Sequence, residues 1–264
     1  MVARPEDEVD LARASLLVAC EEYPRLEVED YLERLDGMAG ALRGRMGISP
    51  EAAVASINRV FFEEQGFHGN TEEYYDPRNS FLNDVLDRRT GIPISLSTVY
   101  IAVGRRAGVG VHGVGLPGHF VVRVSTAGGE ALVDPFNGGA LLTPQDCQER
   151  LDRIYGGRLR MVAGMLAPCP PRALLSRTVR NLKAIYLKAG DHERALRTAE
   201  LLVLLNPEAP EERRDRGLIL ATLECYGLAA QDLETYVAAV PVGTEADQLR
   251  LKIADLRLKA TRVN

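Results

Sequence analysis

Apolar residues recur at helical spacing over the first quarter of the chain. One stripe runs from Asp10 to Cys20, and a second runs from Val28 to Leu42. A third helix is predicted to begin at Ser49, because Ser is a good N-cap and the Pro that follows it is favoured in a first turn. It is predicted to end near Gly66. The pattern therefore predicts that residues 6–66 are helical.

The middle of the chain changes from helical to alternating spacing. Two helices are predicted, one over Ser80 to Arg89 and one that begins around Ser95 and ends near Gly108. Val-rich segments with a period of two follow, separated by the hairpin-type turn Thr126 to Glu130, and predict three strands: Val109–Gly115, His119–Val124 and Ala131–Asp134. This part predicts a small antiparallel sheet packed against helices.

Helical spacing returns after the Pro-rich segment at 167–171, where we place a domain boundary that gives domains 1–168 and 169–264. The residues that follow have the order typical of a tetratricopeptide repeat. This order is a Tyr, a Gly-Asp pair, an Ala-Leu pair and then Asn206-Pro207. A weaker copy is predicted by aligning Gly190 with Gly227 and Leu196 with Leu233, and Thr244 to Lys259 is predicted to cap the array. The expected class is α+β, followed by an all-α tail of helical hairpins.

Composition excludes several classes of function. The 264 residues carry a net charge of −5, which argues against a nucleic-acid partner. No apolar run approaches a membrane span and the N-terminus has no apolar segment, so we expect no membrane partner, no signal peptide and a cytoplasmic location. No histidine pair has ligand spacing and the cysteines form no CxxC, so no metal, disulfide or cofactor is expected; the cysteines are Cys20, Cys147, Cys169 and Cys225.

Three residues form the candidate catalytic site: Ser95, His119 and Asp134. A cysteine hydrolase or a transglutaminase needs a nucleophile at a helix N-terminus, a His on a neighbouring strand and an Asp or Asn that orients the His. His119 begins one predicted strand and Asp134 ends the next, so the two side chains can lie side by side. The sequence GIPIS stands where the nucleophilic Cys is needed, so Ser95 and Ser97 are the available hydroxyls.

Each of these residues also has an ordinary structural interpretation. His119 could be a partly buried His, and Asp134 could use its carboxylate to form a turn before Pro135. Ser95 could be a helix N-cap. A Ser is also poorly activated without a strong general base, because its hydroxyl has a much higher pKa than a thiol.

Two segments together resemble the SirB1 family. They are YDPRNSFLNDVLDRRTGIPISLSTVY, from Tyr75 to Tyr100, and VDPFNG, from Val133 to Gly138, with Gly118-His119 between them. The resemblance covers nearly the whole chain and implies a transglutaminase-like N-terminal domain joined to tetratricopeptide-like repeats. The wider superfamily implies a Cys–His–Asp triad. His119 and Asp134 match the His and Asp positions, whereas the Cys position falls on Pro93 or Ser95, depending on which end of the helix is aligned.

Two functions remain open from the sequence. The missing Cys and the repeats favour a non-catalytic adaptor, a pseudoenzyme that binds a peptide or side chain in the old cleft and a protein partner through the repeats. The retained His119 and Asp134 favour an active amide-bond hydrolase or acyl transferase that uses Ser95 or Ser97. The sequence points toward the adaptor and leaves the catalytic alternative in place.

Overall fold

The computed structural model describes residues 9–263, so residues 6–8 of the predicted first helix lie outside the described part. The chain divides into two compact units, one that ends at Thr178 and one that begins at Val179. This division falls after the boundary placed at 168, because helix α7 (Pro171–Ala189) is continuous and its Leu174 packs into the core of the first unit.

The first unit contains helices that follow the predicted stripes closely. Asp10 caps the first helix through its side chain, and Ser49 accepts the amide N–H of Ala52 at the start of the third. The third helix continues into a π-helical turn at Arg59–Glu64. The helices of this unit are α1 (Leu11–Ala19), α2 (Val28–Ala41), α3 (Pro50–Asn58), α4 (Leu82–Arg88), α5 (Pro93–Arg106) and α6 (Pro144–Tyr155).

The strands form one antiparallel sheet and one short parallel pair. The parallel pair joins β1 (His68–Gly69) to β2 (Thr90–Gly91). The antiparallel sheet has the order β6-β5-β4-β3-β7, with β3 (Gly110–Leu116), β4 (His119–Thr126), β5 (Gly129–Asp134), β6 (Ala140–Leu142) and β7 (Pro168–Cys169). The three predicted strands are its centre, and the fold class is confirmed.

Helix α5 lies in the middle of the first unit. It packs against α1, α2 and α4 and also against β3 and β4, so it is buried all round from Pro93 to Gly104 rather than along one stripe. It begins at Pro93, two residues before the predicted start, because Pro fits the first helical position, where no N–H partner is needed. Ser95 therefore lies within the first turn and is not the N-cap.

The second unit is a series of antiparallel helices. After α7 come α8 (His192–Leu205), α9 (Pro210–Thr222), α10 (Tyr226–Ala239) and α11 (Thr244–Val263). No helix among residues 9–263 is long and apolar enough to cross a membrane.

The two repeats are related by a shift of 34 residues, which corrects the predicted alignment of Gly190 with Gly227. Gly190 has φ +73°, and the residue with positive φ at the matching turn is Glu224, with φ +60°. The amide of Asp191 donates to the carbonyl of Tyr186, and the amide of Cys225 donates to that of Leu220. A 34-residue period is that of tetratricopeptide repeats. The sequence alignment matched one Gly with another, whereas the second turn uses Glu.

Candidate functional site

His119 follows a tight turn that joins β3 to β4. Pro117 and Gly118 form this turn, and Leu116 pairs with His119 across it. Gly118 has φ +71°, a conformation that a residue with a Cβ adopts only under strain. The His119 side chain is almost fully buried at the start of β4. A rigid hairpin therefore fixes where the imidazole lies.

Asp134 ends β5 and makes two kinds of contact. Its Oδ1 accepts the amide N–H groups of Phe136 and Asn137 at 3.0 and 3.2 Å, which caps the 3₁₀ turn Pro135–Asn137. Its Oδ2 lies 2.9 Å from Nε2 of His119 and accepts from Nδ2 of Asn137 at 2.8 Å. Asp134 is completely buried. The same carboxylate therefore forms the turn through Oδ1 and contacts the ring of His119 through Oδ2.

Arg150 of α6 is a third member of this group, which the sequence did not indicate. Its Nη2 lies 2.6 Å from Oδ2 of Asp134, and its Nη1 lies 3.3 Å from Nε2 of His119. Its Nε is buried and has no hydrogen-bond partner among the described residues. Arg150 thus shares the carboxylate with His119.

The environment of Asp134 favours the ionised carboxylate. Burial alone would raise its pKa, but the hydrogen bond and charge of His119, the amide of Asn137 and the charge of Arg150 together lower the pKa of Asp134. An ionised Asp134 can only accept a hydrogen bond, so Nε2 of His119 is the donor in the contact of 2.9 Å. This contact holds the Nε2 edge of the His119 ring against the buried carboxylate.

The hydroxyl of Ser95 is bound to the backbone. Its Oγ donates to the carbonyl of Asn79 at 2.5 Å and accepts the amide N–H of Ile92 at 3.1 Å. Oγ of Ser97 is buried without a hydrogen-bond partner in the described part of the chain, and Pro93 begins the helix. Among residues 9–263 no hydrogen bond joins either hydroxyl to His119. The structure therefore joins His119 to Asp134, whereas the hydroxyl of Ser95 is bonded to backbone groups.

The cysteine that lies near Arg150 and Asp134 is a core residue. Cys147 of α6 is fully buried in a cluster with Val114, Leu116 and Val121. Burial raises the pKa of its thiol. A buried thiol that is kept protonated is a poor nucleophile.

A row of aromatic rings begins at His119. The ring of Phe136 meets that of His119 edge-on, with centroids 6.2 Å apart, and Tyr74 meets Phe136 at the same separation. Tyr75 follows at 5.3 Å from Tyr74 and is 66% exposed. The sequence analysis used Phe136 and Asn137 only as part of the VDPFNG segment and did not predict their contacts with His119 and Asp134.

No group of three or more candidate metal ligands occurs among the described residues.

Comparison with known sequences gives two family matches along the chain. Residues 29–180 match the profile of the transglutaminase-like superfamily, and residues 182–254 match that of the tetratricopeptide repeat. No solved structure matches the chain.

Whole-chain relatives share both parts. A UPF0162 protein of Xylella fastidiosa (strain 9a5c) is 38% identical over 97% of this chain and 93% of its own length. The UPF0162 protein PA3419 of Pseudomonas aeruginosa is 31% identical over 96% of this chain and 93% of its own. The UPF0162 protein YchA of Escherichia coli (strain K12) is 29% identical over 92% of each. The chain therefore belongs to the transglutaminase-like superfamily and, within it, to the UPF0162 proteins.

Proposed function

We propose that this protein is a non-catalytic adaptor of the SirB1 type, with a degenerate transglutaminase-like core. The core binds a peptide or a side chain beside His119, and the helical repeats bind a protein partner. The observation that carries the proposal is the hydroxyl of Ser95, whose proton is donated to the carbonyl of Asn79.

A general base acts on a nucleophile only within hydrogen-bond reach of the proton it removes. Ser95 has used its one proton on the backbone, and its oxygen also accepts from Ile92. Activating Ser95 would leave the carbonyl of Asn79 without that donor. The Cys that the superfamily implies falls on Pro93 or Ser95, and both residues lie in the first turn of α5.

The repeats supply the second half of the proposal. Arrays of helical hairpins present extended surfaces to protein partners. Leu204 of α8 and Leu228 of α10 are 62% and 59% exposed, which places large apolar side chains on the surface of the second unit. We propose a cytoplasmic protein or peptide as the partner, with no role for nucleic acid or membrane.

Labelling with a fluorophosphonate tests the proposal, because this probe forms a covalent adduct only with an activated Ser. We expect intact-mass spectrometry of the full chain to show no adduct on Ser95 or Ser97. A mass increase on the wild type that disappears in Ser95→Ala, but not in Ser97→Ala, would contradict a non-catalytic core.

The partner-binding half needs a separate experiment. We expect the full-length variant Leu204→Glu/Leu228→Glu to lose proteins that the wild type captures. The control is Leu141→Glu, an equivalent change at a 50% exposed Leu of the first unit. Unchanged capture by the double variant would remove these positions from the proposal.

One observation favours the alternative, an amide-bond hydrolase or acyl transferase using Ser95, His119 and Asp134. The contact of 2.9 Å between His119 and the buried Asp134 is the geometry of a base and its orienting carboxylate. The same labelling experiment distinguishes the two functions.

A further inference from the structure

Arg177 of α7 holds the turn that carries His119. Its Nη2 donates to the carbonyl of Leu116 at 3.0 Å and to that of His119 at 2.9 Å. These carbonyls lie on either side of the turn between β3 and β4. The guanidinium also lies over the ring of Phe120, 5.4 Å from its centroid. Arg177 is therefore fixed directly behind the candidate site.

Arg177 differs from Arg150 in having no carboxylate partner within the described residues. The ionisable groups that lie near Arg177 are Cys169, Tyr74 and Tyr155. Thiols and phenols with ordinary pKa values are neutral at pH 7, so none of the three is a counter-ion. The Arg177 side chain is half-buried, so its charge is partly removed from water, and this burial lowers its pKa. A partly buried charge without a counter-ion is costly, so an anion that reached it would be stabilised.

Two tyrosine side chains, those of Tyr74 and Tyr155, lie near this cation. The phenol of Tyr74 is protonated at neutral pH and can donate a hydrogen bond, and burial raises its pKa further. The hydroxyl of Tyr155 lies against the turn, since a Cβ added at Gly118 would be 3.6 Å from it. Phenol donors beside a guanidinium are suited to the oxygen atoms of a carboxylate.

We propose that Arg177, with Tyr74 and Tyr155, binds a carboxylate of a peptide ligand, while the rings of Phe136, Tyr74 and Tyr75 contact the neighbouring side chains of that peptide. This inference rests on the proposed function and deepens it by naming the charge of the ligand. The aromatic row favours a peptide over a free inorganic anion, because it extends from His119 to the 66% exposed Tyr75.

Titration of the full-length chain with matched peptides tests the inference. The probes are acetyl-Ala-Phe-Ala with a free C-terminal carboxylate, the same peptide as its amide, acetyl-Ala-Phe-Glu-amide and inorganic phosphate. We expect one or both carboxylate peptides to bind about tenfold more tightly than the amide. Which of the two binds more tightly tells whether the carboxylate comes from a chain terminus or from a side chain.

Substitutions assign the preference to Arg177. In Arg177→Gln the carboxylate peptides should bind no better than the amide, whereas Arg177→Lys should keep part of the preference. Arg43→Gln is the control, since it removes one exposed cation from the turn that follows α2. Thermal unfolding of each variant reports whether the hairpin turn is retained. Loss of the turn alone would weaken the acid and the amide equally, whereas loss of an anion site weakens only the acid.

Tyr75→Ala gives an independent variant that leaves Arg177 in place. Tyr75→Ala should weaken the binding of the acid and of the amide by the same factor, because the ring of Tyr75 contacts the peptide and not its charge.

The inference would be overturned by equal binding of acid and amide to the wild type, or by an unchanged preference in Arg177→Gln. Tighter binding of phosphate than of every peptide would also overturn it, in favour of a free-anion site. Absence of binding by all peptides would overturn it too, while fluorophosphonate labelling judges the catalytic question separately.

Discussion

Two buried polar groups of the first unit satisfy their hydrogen bonds in different ways. His119 and Asp134 use side chains, and Arg150 joins them on the same carboxylate oxygen. Ser95 uses the backbone and ties the start of α5 to the carbonyl of Asn79. The first group could still orient a base, whereas the second holds a loop to a helix. His119 and Asp134 are therefore held together by their side chains, whereas the hydroxyl of Ser95 contacts backbone groups.

The largest expected effect is the loss of the carboxylate. Asp134→Ala leaves Arg150 and His119 without their shared acceptor and removes the cap of the turn at 135–137. Removing one partner of a buried ion pair costs about 3–5 kcal/mol of unfolding free energy. Urea unfolding measures this value. Asp146→Ala removes another helix-capping carboxylate, at the start of α6, and should cost much less. A small loss in Asp134→Ala would contradict the arrangement.

The pH dependence of stability should follow the same carboxylate. The pKa of Asp134 is lower in the folded chain than in the unfolded one, where it is about 4. Its contribution is therefore complete above about pH 4 and is lost as the pH falls through the lower folded pKa. Unfolding of the wild type and of Asp134→Asn, compared across acidic pH, gives the difference. We expect the difference to be constant near neutral pH and to shrink below about pH 4; a difference that grew on acidification would contradict the sign.

The serine half should respond less strongly. Ser95→Ala leaves the carbonyl of Asn79 and the amide of Ile92 without this partner, which costs about 1–3 kcal/mol. Ser97→Ala is the matched control, because it removes a buried hydroxyl that has no hydrogen-bond partner among the described residues. We expect the control to be neutral or stabilising in urea unfolding. Equal losses in both variants would show that the hydrogen bonds of Ser95 do not carry its effect.

The same contrast separates what the sequence could predict from what it could not. The alternating Val residues placed His119 and Asp134 on adjacent strands, and the structure pairs them. Arg150 was missed because its contact with Asp134 depends on how α6 packs beside the end of β5, and the spacing of apolar residues carries no information about that packing. Ser95 was expected at a helix start, but Pro93 takes that position, and the preference of Pro for a first turn was the available signal.

Backbone conformation explains the other difference. Gly190 was matched to Gly227 because both are Gly, yet the second turn places Glu224 at positive φ. Because this position is occupied by Glu in the second repeat, an alignment based on Gly residues places the second repeat three residues too late. The 34-residue hydrogen-bond pattern shows the match instead.

A double-mutant cycle between Ser95 and His119 tests the central claim most directly. The unfolding free energies of Ser95→Ala, His119→Ala and the double variant are compared with that of the wild type. A cycle between His119 and Asp134 serves as the control and should show strong coupling. If the Ser95 hydroxyl belongs to the backbone, the Ser95 and His119 effects add within about 0.5 kcal/mol. A coupling of about 1 kcal/mol or more would place Ser95 in one network with His119 and contradict the account.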